Sequence, residues 1–178
     1  MTSPPTTAVL LDEREIQRVM LRYVRGVDRC DGELIRSAFH DDAINHHGSF
    51  TGGPDAYLEY VLKLAMPQFE RTMHYVTNML IHIAGDRAYV ETYVFAVHLR
   101  NQPDVPPTAE FFGGRYFDRF ERRDHAWRIA ERWVIHEWDT AATVSANPAW
   151  KGRFVEGLRG HADVSFTHRQ TPADGATR

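Results

Sequence analysis

Cysteine is almost absent from the sequence. Cys30 is the only one in 178 residues, which excludes an internal disulfide framework and suits a reducing compartment. Long apolar runs are missing too, as is a basic-then-apolar leader; Met1 to Val9 are Ser/Thr/Pro-rich. No signal peptide or membrane contact is expected, and the expected location is cytoplasmic. Neither sign of charge dominates. Lys and Arg total 21 against 24 Asp and Glu, a net charge of −3, and the basic residues are scattered, which argues against a nucleic-acid partner. There is no low-complexity tract and no internal repeat. The remaining composition, 43% hydrophobic and 25% charged, fits one globular domain able to bury most of its apolar surface.

Asp12 followed by Glu15 resembles a capping box. Ile16, Val19, Met20, Tyr23 and Val27 then recur at helical spacing, predicting a helix to about Val27 behind a flexible segment 1–9. Asp28 follows Val24 by one turn, at the edge of that apolar stripe, where a carboxylate is half in water. Glu33 to Phe39 reads as a short second helix, and Asp31, before it, as its cap. His40 to Gly48 reads as a strand. Gly52-Gly53-Pro54-Asp55 opens a third helix that Pro67 closes. From Thr72 the pattern changes to long strands, Thr72–Ala84, Ala88–Leu99, Glu110–Arg122 and Ala126–Thr140, separated by turns and one proline-rich loop. Three helices followed by antiparallel strands predict an α+β domain over 10–142, with the helices packed on one face of a curved sheet. Residues 143–178 form an extension, with a short helix at Pro148–Leu158 and a disordered tail at Thr171–Arg178.

The stretch Thr72–Met79 places His74 on a strand face with Val76, Asn78 and Leu80, while Met73, Tyr75, Thr77 and Met79 point the other way. A histidine among apolar neighbours becomes a base near neutral pH when a carboxylate orients it, and Asp28 is the candidate partner. The alternative is a core histidine that bonds a carbonyl. His40, Asp42, His46 and His47 match no zinc spacing, and adjacent His46 and His47 on a strand point opposite ways, so no metal site is expected. Cys30 is expected to be inert.

Gly26-Val27-Asp28-Arg29, His74-Tyr75-Val76-Thr77-Asn78 and Tyr116 to Asp124 with Trp127-Arg128-Ile129 together make the chain, from about Leu10 to Thr140, resemble the SnoaL-like, nuclear-transport-factor-2-like superfamily. The resemblance implies a cone-shaped curved sheet of mixed or antiparallel strands carrying three N-terminal helices. It also implies an Asp–His pair in a pocket, with His74 the base and Asp28 its orienting carboxylate. Arg132 matches a pocket arginine. Tyr23 stands where the family's dehydrochlorinase has a lysine, which favours a leaving group that needs a proton donor. Neither a metal nor an organic cofactor is implied. Asn78, His136, Val76 and Trp138 are expected to contact substrate. That substrate is a hydrophobic hydroxy-carbonyl compound such as a steroid, terpenoid or polyketide, acted on by a dehydratase or isomerase. The alternatives are a polyketide-type cyclase using the same pair, and a non-catalytic ligand-binding or assembly module. Family members often form dimers or trimers through the open sheet face, here the face of Trp133 or Trp138.

Overall fold

Helix α1 starts earlier than the Asp12–Glu15 pair suggested. In the computed structural model, which describes residues 4–167 apart from 104, 146 and 151, α1 spans Thr7–Arg29. Thr6 is the cap, its hydroxyl accepting from the Val9 amide at 3.4 Å. The two acids are used in tertiary contacts instead. Asp12 accepts from Arg122 and from the Trp127 indole, and Glu15 accepts from the Trp127 amide. Residues 7–9, expected to be flexible, are therefore helical. The helix ends at Cys30, whose φ of 52° is left-handed and whose amide bonds back to the last turn. Gly26 lets α2 (Gly32–Ser37) approach closely, since a Cβ there would lie 2.8 Å from the Ile35 amide nitrogen. Asp31 caps α2 as expected, accepting from the Leu34 amide at 3.1 Å.

Strand β1 (Phe39–His47) pairs with a short strand the sequence did not signal, β2 (Phe50–Gly52). The third helix, α3 (Pro54–Glu59), continues through a π-helical stretch at Tyr60–Ala65 and a 3-10 turn at Met66–Gln68, so Pro67 lies inside the final turn. Four long strands follow: β3 (Arg71–Ala84), β4 (Arg87–Arg100), β5 (Thr108–Arg123) and β6 (Ala126–Thr143). The six-stranded sheet has the order β2-β1-β6-β5-β4-β3, with β1 and β6 parallel and the other pairs antiparallel. It curves without closing, and the helices pack in its concave face against a core that includes Ile16, Met20, Phe39, Phe120 and Trp127. This is the α+β fold expected.

Two irregularities decide which side chains face inward. In β3, Val76 pairs with Val94 and Met79 with Thr92, so Thr77 and Asn78 together oppose Tyr93. The extra residue reverses the alternation. In β6, His136 pairs with Gly114 and Trp138 with Gly113, leaving Glu137 as the extra residue. Beyond the sheet, among the described residues of the expected helix 148–158, only Pro148–Trp150 are helical, as a 3-10 turn, and α4 (Val164–Thr167) follows. The extension folds back on the end of α1 through Arg29–Asp163 at 3.5 Å, on the start of β3 through Arg71–Glu156 at 2.8 Å, and on the 3-10 turn at Met66–Gln68 through Arg159 to the Met66 carbonyl at 3.0 Å. The expected tail Thr171–Arg178 lies outside the described residues. Among the described residues, no helix is long and apolar enough to cross a membrane.

Candidate active site

A cavity of about 230 Å³ opens between α1, the α3 segment and the concave face of β3–β6. Its wall is mostly apolar, with His47, His74, His98, His136, Tyr23, Tyr57 and Tyr116 supplying the polar groups. The end of α1 and the start of β3 meet there. Asp28 accepts from the His74 ring Nδ1 at 2.7 Å, from the His74 amide at 3.0 Å and from the Thr72 hydroxyl at 2.9 Å. A carboxylate gathering three donors fixes the imidazole with Nδ1 as the proton-bearing nitrogen, so Nε2 holds the free lone pair. His74 and Asp28 are largely enclosed, their side chains 10% and 14% exposed.

Three further histidines line the same cavity, His47, His98 and His136. His98 meets the His74 ring edge-on at 5.3 Å and stacks on Phe69 at 4.8 Å. Burial, with the neighbouring His74 next in effect, lowers its pKa to about 4. His47 is lowered to about 3, by burial first and the Arg132 charge second. Both rings are therefore neutral at neutral pH and offer one donor and one acceptor each. The Tyr23 and Tyr57 hydroxyls lie 2.6 Å apart, and Tyr57 reaches His47 Nδ1 at 3.3 Å. Burial raises the pKa of Tyr23, Tyr57 and Tyr116, so all three phenols keep their protons.

Several expected contacts fall elsewhere. Asn78 and Leu80 are exposed, because the β3 bulge turns Met79, Ile81 and Ile83 inward in their place. Val76 faces inward but packs on the core beside the cavity rather than lining it. Trp138 rolls to the outer face past the β6 bulge and lies flat over Gly113, where an added Cβ would come within 2.3 Å of its ring. The same bulge leaves His136 on the cavity side, near the mouth, bonded to Asp139 at 2.8 Å. Arg132 is fully buried and does not line the cavity. Asp118 grips it bidentately, both contacts at 2.7 Å, and its guanidinium lies 4.2 Å from the Tyr23 ring and 4.3 Å from the Tyr116 ring. Burial alone would lower the Arg132 pKa, but Asp118 more than reverses this and holds it charged. Arg132 thus stands one layer behind the wall, beneath Tyr23. His40 is spent on the Glu121 carbonyl at 2.9 Å, and among the described residues no three metal-binding side chains converge.

The pattern that defines the SnoaL-like domain matches residues 8–133. The chain belongs to the SnoaL-like family. No curated protein matches it. Among solved structures, a "putative scytalone dehydratase" of Novosphingobium aromaticivorans is 25% identical, with 78% of this chain and 91% of that chain covered and a TM-score of 0.64. The hexachlorocyclohexane dehydrochlorinase of Novosphingobium barchaimii is 22% identical, with 78% and 96% covered and a TM-score of 0.69. A Kribbella flavida protein is 21% identical, with 74% and 95% covered and a TM-score of 0.68. All three stop short of covering this chain while being nearly covered themselves. The fold is one on which dehydratase and dehydrochlorinase proteins are built.

Proposed function

We propose that this SnoaL-like protein is a cofactor-independent lyase or isomerase that removes a proton from carbon next to a carbonyl in a hydrophobic hydroxy-carbonyl compound. The observation that carries this reading is the Asp28–His74 pair, with the His74 ring on the wall of a mostly apolar cavity and Asp28 holding it from behind. His74 Nε2 takes the proton, and Asp28 holds the ring's tautomer and stabilises the imidazolium that forms. Loss of a β-hydroxyl requires a proton at the departing oxygen, since hydroxide leaves poorly. The Tyr23–Tyr57 hydroxyl pair is the donor, and the Arg132 charge beneath Tyr23 favours the phenolate that donation leaves. The neutral His98 ring, beside the base, binds the carbonyl oxygen as negative charge builds on it. Arg132, expected to touch the oxygen directly, acts here through Tyr23. At about 230 Å³ the cavity favours a compact terpenoid or polyketide over a fused tetracycle. Self-association as a dimer or trimer through the outer sheet face is part of the same reading.

The test is a panel of such compounds, followed by appearance of the unsaturated carbonyl and by exchange of the substrate's α-hydrogen in heavy water. Both signals should appear with the native protein and vanish in His74→Ala. Persistence in that variant overturns the assignment of the base. Ligands that raise the melting temperature without turnover would favour a non-catalytic binding module.

A further inference from the structure

The basic residues that look scattered in the sequence are gathered by the fold. Arg14, Arg18, Arg22, Arg25 and Arg29 recur along α1 at steps of four, four, three and four, which aligns them on one side of the helix. That side faces away from the buried Ile16, Val19, Met20, Tyr23, Val24 and Val27. Leu10, Leu11 and Leu21 stand among the arginines and are 49%, 66% and 51% exposed.

The carboxylates of α1 are turned elsewhere. Asp12 is held by Arg122 and Trp127, Glu15 by the Trp127 amide, and Asp28 by Thr72 and His74. Glu13 falls about 100° round the helix from Arg14. At the C-terminal end, Arg25 is taken up by Ser165 and the Phe166 ring, and Arg29 by Asp163. Arg14, Arg18 and Arg22 stay exposed along the first part of the helix.

We infer that this face of α1 docks the protein on an anionic phospholipid surface. The guanidinium groups are suited to headgroup phosphates, which they bind through paired N–H donors. The leucines are suited to the interfacial region just below, as in helices that lie flat on a bilayer. Three leucines spread along a convex helix offer an acidic protein no groove to fill, but a bilayer surface accepts them at any spacing. The whole chain carries −3, so with these arginines on one side the remainder is more acidic still. Repulsion of that remainder from a negative leaflet orients α1 toward it. The inference is independent of the reaction proposed above.

Co-sedimentation of the full chain with phosphatidylcholine vesicles, with and without about a quarter phosphatidylglycerol, tests it. Binding should require phosphatidylglycerol and weaken as salt rises. Replacing the three exposed arginines together, R14Q/R18Q/R22Q, should weaken it on the order of 100-fold, and L11S/L21S should weaken it at unchanged charge. All five positions are exposed, and circular dichroism checks that both variants fold. Absence of binding to either vesicle, or equal binding by the arginine variant, overturns the proposal. So does capture of polyglutamate without vesicle binding, which would point to an acidic protein instead.

Discussion

Tyr23 carries more of the site than its place on a helical stripe suggested. Its hydroxyl touches Tyr57, its ring lies over Arg132, and both contacts bear on how readily it gives up a proton. Tyr23→Phe should lower turnover ~10²-fold with the fold intact, and Asp28→Asn should lower it while preserving the packing, both read by steady-state kinetics on one identified substrate. Asp118→Ala strands a buried guanidinium and should cost about 3–5 kcal/mol in urea unfolding. His98 and His47 set the acid limb of stability. Their pKa values, lowered to about 4 and about 3, lie below the ordinary value near 6.5. Above that value both rings are neutral, folded or unfolded. Below it the unfolded chain takes up protons that the folded protein refuses, so stability falls as pH drops through this window, by about 1.4 kcal/mol per pH unit for each ring. Urea unfolding from pH 7 to 5 should show this slope, and His98→Gln should reduce it by one proton's worth. Of the polar groups around His74, Asp28 was legible from its place at the edge of the helical stripe, and Tyr23 from the family resemblance. The sequence did not expose His98, which continues the inward face of β4 two residues past Ala96, because one histidine near a strand end carries no periodic signal.

The long strands were legible to within three residues because alternating β-branched and aromatic side chains mark them. The bulges were not, since an extra residue leaves the local pattern looking regular on both sides. Asn78 and Trp138 were misplaced for that one reason, each lying just past an inserted residue. Deleting Asn78 should remove the bulge and restore strict alternation in β3 with Met79, Ile81 and Ile83 still facing inward, so the denaturant midpoint should change little. Gly114→Ala should lower the denaturant midpoint, because the new Cβ would meet the Ile135 carbonyl oxygen at 2.3 Å, in the backbone beside the bulge. The cap of α1 was misread for a different cause. Asp12 and Glu15 have the spacing of a capping box, but the distant Trp127 and Arg122 compete for them and win.

At the scale of the molecule, the extension touches the sheet at the start of β3, through Arg71 and Glu156. Among the described residues no strand lies beyond Thr143, so truncation at residue 147 should leave the circular dichroism of the sheet intact. It removes Arg159 from the Met66 carbonyl, and Met66 lines the cavity, so ligand affinity should fall with it. The outer sheet face exposes Tyr89, Tyr93, Phe117, Trp133 and Trp138, each between 40% and 49%. Light scattering should show a dimer or trimer that Trp133→Glu disperses. The lone thiol gives all of this a reporter. Cys30 terminates α1 in a left-handed turn, two residues from Asp28, and is the only position that alkylates. Burial raises its pKa, so labelling should be slow at neutral pH and quicker in mild alkali. A trifluoromethyl tag placed there would give one fluorine resonance per chain, positioned to register ligand arriving beside the Asp28–His74 pair without any engineered residue.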